Sequence, residues 1–411
     1  MCIFAIILNK LVMKEFLREI ILSLVIVLTT LNGFAKDKNR IVSGAENTEE
    51  YFQLLTGKKI AVVANQTAVV GGLHLVDTLK RSAFKIKCVF APEHGFRGEA
   101  GNGDKVKSGV DSKTGVPIIS LYGKHLKPTA KDLEGVQVVV FDIQDVGVRF
   151  YTYISTLQYV MEACAEFKIK CIVLDRPNPN GYYVDGPVLK KEFSSFVGMQ
   201  PIPIVYGMTI GEYALMLNGE GWLVGKKKCD LKVVQLQNYN HASRSVVRIP
   251  PSPNLPDMDA IYLYPSFCLF EGTKVSLGRG TSAPFRLIGF PGYKSGGVVR
   301  DTFFTPRNIK GVASKPPYQD TLCQGLNFIG KGYDVRAKGE VNVDVLIDMY
   351  NRFPSKENFF NNFFNKLAGN DELKKQIVNY DSNDKIRKSW QKEIAAFKLI
   401  RKKYLLYKDF E

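Results

Sequence analysis

The 411-residue sequence lacks the short motifs of the common nucleotide-dependent, serine-dependent and metal-dependent sites. Its first predicted β–α turn has no G-x-G-x-x-G, and G-x-x-x-x-G-K-[ST] is also missing, so neither the dinucleotide fingerprint nor the phosphate-binding loop is present. No G-x-S-x-G elbow occurs, no C-x-x-C pair suggests a zinc or redox site, and the four histidines do not have metal-ligand spacing. These absences argue against cofactor or metal chemistry and favour catalysis by carboxylates alone.

The charge balance is strongly basic, although the composition is otherwise ordinary for a globular protein. Lys and Arg number 56 against 40 Asp and Glu, which gives a formal net charge of +16. Such an excess favours acidic partners, whether nucleic acid, an anionic membrane surface or a carboxylate-bearing glycan. Because no compact Lys/Arg run is interleaved with aromatic residues, nucleic-acid binding is not expected. Much of the excess lies at helical spacing between Leu373 and Lys408, which predicts a solvated helix face.

The N-terminal segment has the features of a secretory signal. Ile20 to Leu31 is a weakly polar to apolar run that follows Lys14 and Arg18. A spanning helix needs about 20 apolar residues, and this shorter run is followed by small residues at a cleavage point after Ala35. We therefore expect residues 1–35 to be a signal peptide and the mature protein to be secreted or periplasmic. An uncleaved membrane anchor is the alternative.

Six cysteines remain once this segment is removed, at positions 88, 164, 171, 229, 268 and 323. An even number in an exported protein is compatible with disulfide pairing. Cys88, Cys171 and Cys268, however, lie inside apolar runs, where a free thiol packs as a small hydrophobic group. The sequence leaves both interpretations open.

Strand-like and helical segments alternate along the first 250 residues. Short apolar runs typical of buried parallel strands occur at 60–64, 86–91, 116–121, 136–141, 171–174 and 231–236. This alternation predicts an α/β fold with a doubly wound parallel sheet and right-handed crossovers. Prolines cluster at 249–254, where the alternation fades. We therefore predict one α/β domain over residues 36–250 and a smaller α+β domain over residues 251–411.

Four of the predicted strands end on polar residues. These are Asn65 after the first strand, Glu93 and His94 after the second, Asp142 and Asp145 after the fourth, and Asp175 and Arg176 after the fifth. The carboxyl ends of parallel strands meet at one edge of an α/β sheet, where ligands bind. Glycosidic cleavage suits such an edge, because it needs a proton donor and a group, commonly a second carboxylate, that stabilises the oxocarbenium-like centre.

Glu93 is the best candidate for the proton donor. It follows Phe90-Ala91-Pro92, and apolar surroundings favour the protonated form of a carboxyl group. The alternative is a structural salt bridge from Glu93 to Arg97 or Arg149. His94 could orient Glu93, bind substrate, or serve only the structure.

The other candidates near this edge also have structural alternatives. Asp142 and Asp145 could supply the second charge, or they could cap the helix predicted to begin near Arg149. Tyr151 and Tyr153 could stack on a sugar face, or they could belong to the core of that helix.

The second predicted domain has two comparable clusters of candidate site residues, Phe270-Glu271-Gly272-Thr273 and Gly278-Arg279-Gly280-Thr281. Arg279, flanked by glycines, could hold a carboxylate bidentately or lie exposed in a turn. In the first domain, Asp175 could touch a ligand or pair with Arg176.

Seven motifs together resemble the exo-β-N-acetylmuramidase family, long classified only as a domain of unknown function. Those of the first domain are Ala91-Pro92-Glu93-His94-Gly95, Phe141-Asp142-Ile143-Gln144-Asp145-Val146-Gly147, Arg149-Phe150-Tyr151-Thr152-Tyr153 and Asp175-Arg176-Pro177-Asn178-Pro179. Those that follow are Pro250-Pro251-Ser252-Pro253-Asn254, Phe270-Glu271-Gly272-Thr273 and Gly278-Arg279-Gly280-Thr281-Ser282-Ala283-Pro284-Phe285. The resemblance covers the chain from about Gly44 to Tyr407.

The resemblance implies a Rossmann-like domain, a smaller C-terminal domain and an active site in the cleft between them. It implies release of N-acetylmuramic acid from the non-reducing ends of peptidoglycan fragments such as muropeptides, without a cofactor. Glu93 is then the catalytic glutamate, and Asp145 is the candidate for a second catalytic carboxylate. The motifs and strand ends give as substrate-binding candidates Asn65, His94, Arg97, Asp142, Gln144, Arg149, Tyr151, Tyr153, Asp175, Arg176, Asn178, Asn254, Glu271, Arg279 and Thr281. The arginines among them suit the carboxylates of muramyl glycans.

Two positions depart from the family pattern, and two other functions stay open. Arg286 stands where an acidic or neutral residue is usual, and Leu277 where a shorter or acidic one is common, so specificity would shift if a lost carboxylate bound substrate. The alternatives are a non-catalytic periplasmic glycan-binding protein and a nucleotide-dependent enzyme, the latter disfavoured by the missing phosphate-binding glycines. Retention or inversion depends on whether a second carboxylate lies near ~5 Å or beyond ~6.5 Å from the first, or on attack by the substrate's acetamido group.

Overall fold

The computed structural model describes residues 39–98, 108–294 and 301–411. The predicted signal peptide lies outside the described residues. Residues Val42–Glu411 form one unit by their contacts, and the predicted domain boundary near residue 250 stays a prediction. Within the described ranges, no helix is both long enough and apolar enough to cross a membrane.

Seven of the nine strands described in the first 250 residues form the central sheet. The nine strands are β1 (Lys59–Ala64), β2 (Val69–Val70), β3 (Leu73–His74), β4 (Lys85–Ala91), β5 (Gly109–Val110), β6 (Pro117–Ser120), β7 (Val138–Asp142), β8 (Lys170–Leu174) and β9 (Leu231–Val234). The order in the sheet is β5-β6-β4-β1-β7-β8-β9, and β2 pairs with β3 apart from it. β5 runs antiparallel to β6, and the other neighbours are parallel.

Helices cover both faces of this sheet. The helices that do so are α1 (Thr48–Leu55), α2 (Leu75–Arg81), α3 (Ala130–Leu133), α4 (Tyr153–Phe167) and α5 (Ile210–Gly219). Successive residues of β1 alternate between two apolar clusters: Ile60 and Val62 pack with α1 and α2, and Ala61 and Val63 pack with α4 and α5. A strand buried on both sides carries apolar residues without polar alternation. The predicted doubly wound α/β sheet is confirmed.

A smaller antiparallel sheet follows the central one. Its strands are β10 (Leu287–Phe290), β11 (Asp301–Phe304) and β12 (Cys323–Asn327), in the order β10-β12-β11. The helices of this part of the chain are α6 (Met258–Phe267), α7 (Gly332–Lys338), α8 (Asp344–Arg352), α9 (Phe364–Ala368), α10 (Glu372–Val378), α11 (Asn383–Ser389) and α12 (Gln391–Arg401). Gly289 and Gly325 face each other across this sheet, where a Cβ on either would lie 2.7 Å from the other's Cα. Only glycine fits that approach.

One predicted helix start is confirmed, and another lies further along the chain than predicted. Thr209 and Glu212 form the predicted capping box: the Thr209 hydroxyl accepts from the Glu212 amide, and the Glu212 carboxylate accepts from the Thr209 amide. The helix predicted from Arg149 instead begins at Tyr153, because Thr152 is its N-cap residue. The six cysteines of the described residues are free and buried, as expected of small hydrophobic groups.

The basic C-terminal region is more than a solvated face. Ile394 and Phe397 of α12 are buried in the main core cluster. The Arg401 guanidinium donates to the Gly207 carbonyl at 2.7 and 2.9 Å and pairs with Asp409. The prediction of a solvated helix face therefore holds only for the outward lysines, and the inner face anchors the chain end to the first part of the fold.

Arg149 is buried and connects segments that are far apart in the sequence. Its side chain is completely buried, and its guanidinium donates to the carbonyls of Pro187, Ile202, Leu367 and Ala368 at 2.7–2.8 Å. Burial lowers the pKa of this group to about 9. With four carbonyl partners inside the core, Arg149 has a structural role, and its assignment to substrate stays a prediction.

We expect Arg149→Met to lower the free energy of unfolding by at least about 3 kcal/mol, because four buried carbonyls lose their donors at about 1–3 kcal/mol each. Arg352→Met is the matched control. It removes a partly exposed ion pair with Asp348, worth at most about 1 kcal/mol. Urea unfolding of both variants measures the difference, and equal losses would contradict the structural role of Arg149.

Candidate active site

Glu93 lies in a tight turn at the carboxyl end of β4. The Gly95 amide donates to the Pro92 carbonyl at 3.0 Å. His94 and Gly95 both have positive φ, +69° and +81°, which is uncommon for a residue with a side chain. The turn leaves the Glu93 side chain half-buried. Its Oε1 accepts from the Tyr122 hydroxyl at 2.8 Å and its Oε2 from the Thr152 hydroxyl at 3.0 Å.

The Glu93 carboxylate faces a cavity of about 230 Å³. Residues from both sides of position 250 line it: Glu93, His94, Tyr122, Phe150, Tyr151, Thr152, Phe196, Val197, Ser252, Leu255, Tyr264, Cys268, Glu271, Arg279, Phe285, Phe363 and Leu367. Five predicted site residues, Glu93, His94, Tyr151, Glu271 and Arg279, therefore meet here. Tyr264 packs edge-on against Phe150, Tyr151 and Phe285, with ring centroids 5.0–5.8 Å apart. The wall is aromatic, with few charged groups.

Arg279 and Glu271 form an ion pair in the cavity wall. The guanidinium also lies over the Phe285 ring, 4.9 Å from its centroid, a cation–π geometry. The nearby Glu271 carboxylate raises the pKa of Arg279 despite its burial. The Nη1 atom is buried and has no hydrogen-bond partner among the described residues. Arg279 is thus not exposed in a turn, and it offers one unused donor.

A second group of predicted site residues forms a buried network beneath the rim. The Arg176 guanidinium binds Asp142 through Nε at 2.5 Å and Nη2 at 2.9 Å. The Asp175 carboxylate accepts from Thr209, Tyr407 and two backbone amides at 2.6–3.0 Å. Burial raises the pKa of Asp175 to about 7. The ion pair proposed between Asp175 and Arg176 is wrong, because the guanidinium binds Asp142.

The predicted amide residues also have structural partners. The Asn65 side chain donates to the Tyr153 hydroxyl at 2.9 Å and accepts from Thr67. Gln144 donates to the carbonyls of Asp145 and Pro177, Asn178 to Met208 and Asn254 to Val312, all at 2.7–2.8 Å. These side chains hold the loops behind the cavity, and none of them lines it.

Arg97 and Thr281 are likewise occupied elsewhere. Arg97 donates to Asp111 at 2.8 and 2.9 Å and to Asp77 at 3.3 Å. The Thr281 hydroxyl donates to the Gly278 carbonyl at 2.6 Å. Since Arg97 and Arg149 both have other partners, the alternative of a structural salt bridge to Glu93 is wrong.

Asp145 is buried and is not among the residues that line the cavity. Its Oδ2 accepts from the Gly147 amide at 2.7 Å and the Tyr206 hydroxyl at 2.5 Å, so it does not cap α4. Its Oδ1 is buried and without a hydrogen-bond partner in the described part of the chain. Burial raises the pKa of Asp145 to about 6. The residue does not line the cavity, and its assignment as a catalytic carboxylate stays a prediction.

Arg286 and Leu277, the two departures from the family pattern, lie outside the cavity wall. Arg286 binds Asp257 at 2.7 Å, and the Asp257 side chain caps α6 by accepting from the Ala260 amide at 3.0 Å. Leu277 is buried, and its carbonyl accepts from the Phe285 amide at 2.7 Å. Arg286 and Leu277 therefore support the fold, and neither of them lines the cavity.

Tyr122 and Thr152 are site residues that sequence reasoning missed. Tyr122 lies two residues beyond the end of β6. The strand itself was predicted, over residues 116–121. Thr152 lies inside one of the motifs, between two tyrosines that were singled out. The sequence could have indicated these two residues through their position, because the segments that carry them end or begin at the same sheet edge as Glu93. Within the described residues, no group of three or more His, Cys, Asp or Glu could hold a metal ion.

Two family models cover nearly all of the described chain. The model described as exo-β-N-acetylmuramidase NamZ, N-terminal, matches residues 60–259, and the C-terminal model matches residues 262–407. The chain belongs to the NamZ exo-β-N-acetylmuramidase family. The predicted resemblance is confirmed, and with it the assignment to a family of glycosidases.

Relatives of this NamZ family member agree over most of its length. Peptidoglycan β-N-acetylmuramidase NamZ of Bacillus subtilis (strain 168) is 40% identical over 379 residues, 87% of this chain and 89% of the relative. Two crystal structures of DUF1343 family proteins from Bacteroides fragilis NCTC 9343 are similar, each over 90% of this chain and 99% of the other. Their TM-scores are 0.83 and 0.76, at 47% and 29% identity.

The buried Asp145 gives a pH-dependent stability that can be measured. Its folded pKa of about 6 exceeds the unfolded value of about 3.9. The folded state therefore binds more protons between about pH 4 and 6, and stability falls as the pH rises through that window. Asp145→Asn has no charge to bury. We expect its melting temperature, relative to wild type, to increase from pH 4 to pH 7.

Asp384→Asn is the matched control, because Asp384 is exposed at the start of α11. Its melting temperature relative to wild type should change little over the same range. A flat difference for Asp145→Asn as well would show that the Asp145 carboxylate is not desolvated as described.

Proposed function

We propose that this protein is an exo-acting glycoside hydrolase that releases N-acetylmuramic acid from the non-reducing ends of peptidoglycan fragments during cell-wall turnover. We further propose that it acts in the periplasm or outside the cell, after export through its N-terminal segment. The observation that carries the activity is the Glu93 carboxylate in an aromatic cavity that is also lined by Arg279, a buried arginine with an unused donor among the described residues. The Bacillus subtilis relative, named a peptidoglycan β-N-acetylmuramidase, supports the substrate class.

The size of the cavity supports action on a terminal sugar. Its volume of about 230 Å³ is below the roughly 300–1,000 Å³ of sites for drug-sized ligands. One sugar ring suits this space better than a continuous glycan chain. The aromatic wall formed by Tyr151, Tyr264 and Phe285 offers faces against which the ring can pack.

Glu93 acts as the general acid in this proposal. Its carboxyl group gives a proton to the glycosidic oxygen as the bond from that oxygen to the anomeric carbon breaks, and the bonding electron pair stays on the leaving oxygen. Water then supplies the hydroxyl group of the released N-acetylmuramic acid, and the other proton of that water returns to the Glu93 carboxylate. The group that stabilises the anomeric centre is a second carboxylate or the substrate's acetamido oxygen. Glu271 is the second carboxylate among the described cavity residues.

Arg279 holds the carboxylate of the lactyl ether that distinguishes N-acetylmuramic acid from N-acetylglucosamine. Its Nη2 is committed to Glu271, and its Nη1 is buried and unused among the described residues. A charge-assisted hydrogen bond to such a site is worth about 1.5–3 kcal/mol. The pairing with Glu271 and the contact with Phe285 fix the guanidinium for that bond.

Glu93→Gln keeps the shape of the side chain but removes the proton that the reaction needs. We expect it to reduce release of N-acetylmuramic acid from the disaccharide MurNAc-GlcNAc by at least about 100-fold, in line with the contribution of general acids. Chromatography of the products measures the rate. Glu134→Gln, at an exposed position, should leave the rate unchanged. Equal rates for wild type and Glu93→Gln would remove Glu93 from the role.

Arg279→Ala should change the choice between two sugars. We expect the ratio of kcat/KM for an aryl β-N-acetylmuramide to that for the matching N-acetylglucosaminide to fall at least about tenfold, because one charge-assisted bond is lost. Arg307→Ala, which removes an exposed pair with Asp320, should keep the ratio. An unchanged ratio in Arg279→Ala would place the lactyl carboxylate elsewhere.

A further inference from the structure

We infer that Tyr122 and Thr152 are positioning residues that aim the Glu93 carboxyl group at the leaving oxygen. Each hydroxyl donates to a different oxygen of that carboxylate, Tyr122 to Oε1 at 2.8 Å and Thr152 to Oε2 at 3.0 Å. Two donors on opposite oxygens fix both the rotamer and the plane of the group. The inference rests on the proposed role of Glu93 as general acid.

The backbone of Tyr122 is fixed beside that of Glu93. β6 pairs with β4 in parallel, with Ser120 opposite Ala91. The next residue continues the ladder, because the Leu121 amide donates to the Ala91 carbonyl at 2.8 Å. Tyr122 and Glu93 therefore leave neighbouring strands at the same edge, and their side chains meet without a flexible connection.

The second hydroxyl, that of Thr152, comes from the residue directly before α4. Thr152 is the N-cap residue of α4, where a threonine hydroxyl usually accepts from a backbone amide of the first turn. Here the hydroxyl makes no capping bond, although the Thr152 carbonyl accepts from the Ser155 and Thr156 amides at 3.0 Å. Thr152 has helical φ and ψ of −71° and −2°, whereas a capping residue is usually extended. Its hydroxyl therefore serves the Glu93 carboxylate and not the helix end.

The arrangement also suits the chemistry of proton transfer. Each carboxylate oxygen has two lone pairs. One hydroxyl on each oxygen therefore leaves a lone pair to carry the proton that passes to the leaving oxygen. When the proton passes from Glu93 to that oxygen, the carboxylate that remains keeps both donors. Hydrogen bonds to an ionised group are stronger than those to a neutral one. The two hydroxyl groups thus stabilise the state that follows transfer more than the state that precedes it.

Tyr122→Phe and Thr152→Val each remove one hydroxyl with little change of shape, and Thr152→Ser keeps it. The assay compares MurNAc-GlcNAc, whose poor leaving group needs the acid, with a 2,4-dinitrophenyl β-muramide, whose leaving group needs almost none. We expect kcat for the disaccharide to fall at least about tenfold in Tyr122→Phe and Thr152→Val, with KM nearly unchanged. The activated substrate should lose at most about twofold, and Thr152→Ser should resemble wild type. Tyr333→Phe, at an exposed tyrosine, is the matched control and should change neither rate.

A purely structural role gives a different pattern. It would lower the rates of both substrates together, or neither, and would not distinguish Thr152→Ser from Thr152→Val; either result overturns the inference. The proposed function fails separately, if wild type does not cleave MurNAc-GlcNAc or if Glu93→Gln matches it. Turnover that depends on Glu93 but not on either hydroxyl would overturn the inference alone.

Discussion

The parallel register of four neighbouring strands is the constraint on which the site depends. β4, β1, β7 and β8 pair so that their carboxyl ends lie side by side, with Ala64 opposite Asp142 and Val63 opposite Phe90. Both faces of the sheet are buried under helices, so polar side chains can follow the strands only at their ends. The sheet thereby concentrates charge at one edge, and the remaining structure has to satisfy that charge.

The structure divides the polar residues of this edge into two groups. Those after the central strands are buried, and a buried charge is tolerated only when it is paired and hydrogen-bonded. Asp142 meets that condition through Arg176. Asp175 accepts hydrogen bonds from neutral donors such as Tyr407, and its burial raises its pKa to about 7. Glu93 follows β4 and is only half-buried, and two hydroxyl groups hold its carboxylate. The buried group forms the scaffold, and Glu93 is available for chemistry.

The sequence pattern predicted the sheet, its helices and Glu93 because each depends on local order along the chain. A β-branched run predicts a strand wherever its partners lie, and the residue after the run belongs to the sheet edge. The partner of an arginine cannot be predicted from local order, because it depends on which groups of the folded chain lie within about 3 Å of the guanidinium. Arg97, Arg149 and Arg176 were all candidates for binding substrate, and their protein partners Asp111, Leu367 and Asp142 were not predicted. Tyr122 was missed for the same reason.

The most direct measurement of this account is a crystal structure of the Glu93→Gln variant with uncleaved MurNAc-GlcNAc bound. We expect the terminal sugar in the cavity, its glycosidic oxygen within hydrogen-bond distance of the side chain at position 93, and its lactyl carboxylate on Arg279 Nη1. A sugar bound with its anomeric carbon away from position 93, or outside this cavity, would contradict the account.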